Sequence, residues 1–264
     1  MKRSEKRSQK NHIWKLICLI SVIGMIATGT FVVQYQKKQK ETQQLYEQIQ
    51  AESMLETEKI ADDQPPEKKK PQKKNPLNFD KLQEQNEDIY AWIDIPGTNV
   101  NYPVLQDPED NAYYLDHTVD HREGYPGSIY TEKENAKDFS DPNTVIYGHN
   151  MKNGSMFADL HLFEDQQFLE EHSQMYIYTP DQVLEYQIFA AYLYDDRHLL
   201  NSFDFSDKKI FESYLEAVFA QEGPDVHFRD GVKVTSDQKI ITLSTCVGTM
   251  PQNRWLVQAV RIDE

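Results

Sequence analysis

The amino-acid sequence predicts a mostly β domain, a barrel of short strands with inserted helices, preceded by a single N-terminal transmembrane helix. Three observations carry this reading. An apolar run free of charged side chains spans residues 16–33. Beyond residue 75, many short β-branched and aromatic runs are separated by turn residues, a pattern that favours a closed or nearly closed barrel over alternating βαβ units. One stretch, residues 206–220, combines the length and apolar spacing of a substantial helix.

From the N-terminus, residues 1–12 carry Lys2, Arg3, Lys6, Arg7 and Lys10 against a lone Glu5. This basic tail is expected on the cytoplasmic side, with the C-terminus outside. Residues 13–33 are expected to be an uncleaved anchor. The run is long enough to span a bilayer, and GTFVVQYQKKQK offers no small-x-small cleavage pattern. Residues 34–75 read as a Gln-, Glu- and Lys-rich stalk and then a charged, Pro-rich linker over 61–75 with nothing to bury. The globular domain is expected over 76–264.

The chain has 28 Lys plus Arg and 43 Asp plus Glu, a formal net charge of -15. Residues 1–75 hold 15 basic and 9 acidic side chains, while 76–264 hold 13 and 34. So acidic a body argues against nucleic-acid binding, which needs basic surface for phosphates. Two cysteines exclude a disulfide-stapled scaffold. Cys18 falls in the anchor, which leaves Cys246 unpaired in a compartment where thiols tend to be oxidised.

Within the domain, Phe79 and Leu82 start a short helix that ends before Ile89. YAWIDI and NVNYPVL follow as strands joined by Pro96-Gly97, and residues 128–130 and 143–147 add two more. Met156, Phe157, Leu160, Phe163 and Phe168 have helix-like spacing. Residues 175–179 and 183–194 read as a hairpin around Pro180-Asp181. The 206–220 helix has a serine cap and Ile210, Tyr214, Leu215 and Val218 on one side. Residues 239–245 and 254–262 close the chain as strands.

Cys246 lies in IITLSTCVGTMPQNR, at the end of a β-branched run. A thiol there is held from behind yet able to face a cleft, which suits a nucleophile; the alternative is a core residue continuing the strand. A thiol nucleophile needs a proton partner. Of His117, His121, His161, His172, His198 and His227, most sit among Asp, Glu and Gln and read as solvated. His149 instead follows the apolar run TVIY and Gly148, just past a strand terminus. Asn150 suggests an orienting third member, although adjacent residues commonly point apart. Arg254 opens the closing strand eight residues after the cysteine. An antiparallel return brings its charge near the thiol, where it can stabilise a thiolate or an oxyanion; a surface ion pair is the other reading. No HExxH, CxxC, Walker A, GxGxxG or GxSxG motif occurs. The pair His117 and His121 lies in a polar loop, so neither a metal nor another cofactor is expected.

TLSTC at 242–246, Arg254 downstream and YGHNM at 147–151 together resemble the active-site signature of the sortases, the cysteine transpeptidases of Gram-positive cell surfaces. WIDIPGTNVNYPVLQ at 92–106, DNAYYLDH at 110–117, GSIY at 127–130 and the helix before the cysteine strand are similar to the class B branch. The resemblance covers essentially all of 76–264. It implies an eight-stranded β-barrel with helical insertions. It implies that Cys246 attacks a C-terminal sorting motif of secreted proteins, cleaving after a threonine to give a thioacyl-enzyme. An amine of a cell-wall precursor or pilin then resolves that intermediate. By position His149 matches the general acid/base and Arg254 the oxyanion or substrate-positioning cation. Asn111, Leu115 and Thr245 match substrate-binding positions. No metal is implied. One departure is the short, uncharged VGTMPQN between Cys246 and Arg254. Two alternatives to the transpeptidase stay open: a cysteine hydrolase on the same barrel, and a non-catalytic, membrane-tethered binding module.

Overall fold

The β-branched and aromatic runs of the domain form nine strands among the described residues, which in this computed structural model are 2–60, 75–124 and 126–262. The expected linker, apart from Asn75, lies outside them. The strands are β1 (Ile89–Asp94), β2 (Asn101–Leu105), β3 (Ile129–Thr131), β4 (Asn143–Tyr147), β5 (Gln174–Tyr178), β6 (Val183–Asp195), β7 (Val226–Phe228), β8 (Ile240–Val247) and β9 (Met250–Arg261). Their order is β5-β1-β2-β3-β4-β8-β9-β6-β7, and β5 also pairs with β6. That extra pairing closes eight strands into a barrel and leaves β7 outside on β6, which removes most unpaired edge.

Two pairs, β2–β3 and β4–β8, are parallel. The β4–β8 pairing brings Tyr147 opposite Ser244. Both strands therefore end at the same rim, with the residues after Tyr147 beside those after Ser244. Strands β4 and β8 are buried almost throughout, with apolar or small polar side chains on both faces. The outer cover comes partly from the helix Lys208–Phe219: Phe211, Tyr214, Leu215 and Val218 share a cluster with Val145, Phe189, Tyr192, Leu256 and Val260.

The helices are α1 (Lys2–Ile60), α2 (Phe79–Gln85), α3 (Tyr113–Asp116), α4 (Gln166–Glu171), α5 (Leu199–Ser202) and α6 (Lys208–Phe219), with a 3-10 turn at Ala158–Glu164. Three details depart from expectation. The α6 cap is Asp207, which accepts from the Lys209 and Ile210 amides; Ser206 instead donates to Asp204. Phe211 rather than Ile210 starts the buried stripe, because 211, 214, 215 and 218 follow the i, i+3, i+4, i+7 spacing. The 156–168 segment is a 3-10 turn followed by α4, since Asp165 accepts from Phe168 N and starts a new helix.

The chain divides into two compact units, Met1–Leu45 and Tyr46–Glu264. In the first, α1 carries a segment long and apolar enough to cross a membrane, within Cys18–Ser53. Leu19, Ile20, Ile23, Met25, Ile26, Phe31 and Val33 are all exposed. In the second, Tyr46 and Ile49 are buried with the barrel's core residues. The second unit thus includes residues ahead of 76.

Candidate active site

Along β8 every residue is buried except Cys246. Its thiol is free and exposed. The strand end is fixed from two sides. Across β9, Cys246 pairs with Arg254 and Thr245 with Trp255. On the β4 side, Gly148 N donates to Ser244 O (3.2 Å) and Thr245 Oγ1 donates to Gly148 O (2.8 Å). Beyond Cys246 the β8–β9 register slips, so that Val247 faces Met250. The segment read as a loop is therefore a tight hairpin turning at Gly248-Thr249, and Pro251, Gln252 and Asn253 bulge from β9. Arg254 Nη1 donates into this bulge, to Pro251 O (3.1 Å) and Asn253 O (2.9 Å). No ion pair with a carboxylate involves Arg254 among the described residues.

His149 sits two residues past β4, where parallel pairing with β8 sets it at the level of Cys246. Its Nε2 lies 2.7 Å from Leu115 O. A carbonyl only accepts, so Nε2 bears the proton in the neutral ring and Nδ1 carries the lone pair. Burial lowers the pKa of His149, partly offset by the Leu115 carbonyl and by Asp116. The Leu115 carbonyl in turn depends on Gly127. That residue has φ +64°, and a Cβ there would stand 2.4 Å from Leu115 O.

Cys246, His149, Arg254, Leu115 and Thr245 line one cleft of about 240 Å³. Leu115 is 46% exposed and offers an apolar surface, whereas Thr245 is buried beneath the strand end. Asn111 does not reach this lining; its amide donates to Glu134 (2.7 Å) and its Oδ1 accepts from Lys133 N (3.0 Å). The opposite wall adds Tyr130, Tyr147, Glu132 and His198. His198 Nε2 meets the buried Glu132 carboxylate at 2.7 Å. Burial, with Glu132 nearby, holds the phenols of Tyr130 and Tyr147 above their ordinary pKa, so both stay neutral hydrogen-bonding groups.

Two side chains reach the backbone behind the thiol: Asn150, raised from the sequence only as a partner of His149, and His161, which the sequence does not single out. Asn150 Nδ2 donates to Cys246 O (3.0 Å), and His161 Nε2 lies 3.1 Å from the same oxygen. His161 is thus not a solvated loop histidine; its side chain is only 21% exposed. The one sequence signal was its i, i+3 spacing to Glu164, which it meets at 2.6 Å. No group of three or more His, Cys, Asp or Glu side chains that could hold a metal ion occurs among the described residues.

The family model for the sortase domain matches residues 93–262. Sortase B of Listeria monocytogenes is 39% identical over 165 residues, spanning 62% of this chain and 65% of that protein. Among solved structures, sortase B of Clostridium perfringens aligns with a TM-score of 0.63 at 33% identity, covering 70% of this chain and all of that one. The substrate complex of Staphylococcus aureus sortase B aligns with a TM-score of 0.70 at 26% identity, covering 85% and 98%. With the domain match running from β1 to the end of β9, the chain belongs to the sortase family, in its class B branch.

Proposed function

We propose that this protein is a membrane-anchored cysteine transpeptidase that joins secreted proteins, through a C-terminal sorting motif, to an amine of a cell-wall precursor or pilin. The observation that carries this reading is the single cleft shared by the exposed Cys246 thiol, His149 and Arg254. The Cys246 thiolate attacks the scissile carbonyl, and the Arg254 guanidinium stabilises the oxyanion that develops there. His149, protonated by the thiol, returns its proton to the leaving amine as the thioester forms. The acceptor amine attacks the thioester next, His149 takes up its proton, and the Cys246 thiolate leaves, which restores the starting pair. Leu115 supplies an apolar wall for the sorting peptide, and Thr245 braces the nucleophile. Anchorage by α1, with the basic tail in the cytoplasm, puts the domain outside the membrane.

Full-length protein in detergent, incubated with sorting-type peptides, should gain the mass of the N-terminal peptide portion on Cys246. An added primary amine should shorten the life of that adduct and appear in the product. An adduct indifferent to amine would mean that water is the natural acceptor and the domain is a hydrolase.

A further inference from the structure

The carbonyl of Cys246 stands where a β-ladder loses its partner. Gly148 N bonds Ser244 O as the last backbone rung from the β4 side. In a parallel pair the next rung would run from residue 150 N to Cys246 O. The chain turns away after β4, and a backbone carbonyl without a donor is costly. The Asn150 side chain fills the gap, its Nδ2 taking the place of the missing backbone N–H at 3.0 Å.

His161 completes the arrangement from a different element. Its ring sits on the 3-10 turn, stacked on Trp255 with centroids 6.1 Å apart and planes 23° from parallel. Trp255 Nε1 donates to Leu160 O (2.9 Å), which clamps that turn to β9. Glu164 accepts at His161 Nδ1, so Nδ1 carries a proton whatever the ring's charge. Nε2 lies 3.1 Å from Cys246 O and 2.9 Å from Asn150 Nδ2. In the charged ring Nε2 donates directly to the Cys246 carbonyl. In the neutral ring it accepts the second N–H of Asn150 and braces that donor against the carbonyl.

We propose that His161, oriented by Glu164, is a positioning residue for the nucleophile: with Asn150 it replaces the missing rung at Cys246 O and fixes the strand end on which the thiol stands. This deepens the transpeptidase reading and rests on it. A thiol on the last regular pair of a strand loses aim if its own peptide unit can rotate, and a small misplacement costs about 10²-fold in rate. Direct chemistry by His161 is not part of the proposal, since its contact is to the backbone of Cys246.

The test uses the full chain in detergent. Cysteine labelled with ¹³C at the carbonyl gives two signals, because the chain has two cysteines, and C246A identifies the one of interest. His161→Phe keeps a ring on Trp255 but removes the nitrogen. It should move the Cys246 signal upfield and slow acyl-enzyme formation about ten-fold, with KM for the peptide unchanged. His161→Gln, whose amide reaches the position of Nε2, should restore both. An unmoved signal, wild-type acylation in His161→Phe, or no recovery in a folded His161→Gln overturns the proposal. If His161→Phe does not fold, Asn150→Ala repeats the test from the other donor. A wild-type protein that forms no adduct overturns the transpeptidase reading instead, and the carbonyl signal still decides whether His161 holds Cys246.

Discussion

Cys246 and Arg254 are cross-strand partners, the last regular pair before the β8–β9 register slips. Pairing of this kind sets the two side chains on one face at close spacing, whatever the turn beyond them contains. The bulge then adds a second constraint, because carbonyls of Pro251 and Asn253 hold the guanidinium through Nη1. Short and uncharged as it is, VGTMPQN serves to aim the arginine.

Arg254→Lys tests whether that aim matters beyond charge. A lysine keeps one positive charge but has no planar fork, so it cannot bond the bulge carbonyls and still present further donors to an oxyanion. Acyl-enzyme formation followed by mass should fall about 10²-fold, with the melting temperature unchanged. Wild-type rates in this variant would reduce Arg254 to a point charge.

A pH dependence follows from His149. Burial lowers its pKa in the folded protein, so the unfolded chain binds that proton more readily. As pH falls through the ordinary histidine range the unfolded state gains protons first, and stability is lost until the folded-state value is passed. His149→Gln has no such titration. Between about pH 7 and pH 5 the wild type should therefore lose more thermal stability than the variant. Parallel melting curves across that range would show instead that folding does not alter the titration of His149.

How much of this was legible in the sequence depends on where the determinants lie. Strands β4 and β8 are readable because NTVIY and IITLST are uncharged and rich in β-branched residues, as a buried strand requires. Strand ends then point to residues 149 and 246. By contrast α3 and α5 are four-residue turns, and β7 is half-buried throughout, so none has a periodic signal. Ser206 and Asp207 are both good caps, and only the α6 register decides between them. His161 was unreadable for another reason: its contact with Cys246 spans 85 positions of chain, and HLFED gives no hint of it.

Gly148 offers a test of how tightly His149 is set. A Cβ at this position would meet Phe157 ring carbons at 2.7 Å and Ile129 Cδ1 at 2.5 Å. Both neighbours are buried in the core, so the rigid ring has nowhere to move without displacing the strand end. Gly148→Ala should destabilise the domain by about 1–3 kcal/mol in denaturant titration. It should also slow acylation by more than that loss of folded protein explains. Unchanged stability would mean that the β4 end has slack.

The last prediction concerns where the domain begins. Tyr46 on α1 packs edge-on against Tyr102, with centroids 5.5 Å apart, and its hydroxyl donates to Gly127 O (3.1 Å). Ile49, 2% exposed, follows at i+3 on the same helix face. Burial pushes the Tyr46 phenol well above its usual pKa, as expected of a ring in the core. Gly127 is also the residue whose missing Cβ admits the Leu115 carbonyl, and that carbonyl holds His149. The segment ahead of the linker therefore supports the site as well as the core. Tyr46→Ala should cost about 3 kcal/mol of domain stability, whereas Tyr46→Phe, which loses only the hydroxyl's bonds to Gly127 O and Ser128 Oγ, should cost about 1 kcal/mol. A chain shortened to begin at Leu77 lacks both Tyr46 and Ile49, and it should melt below one shortened to begin just ahead of Thr42. Equal melting of the two shortened chains would return the boundary to the position that the linker's composition suggests, and would make the α1 contacts incidental to the fold.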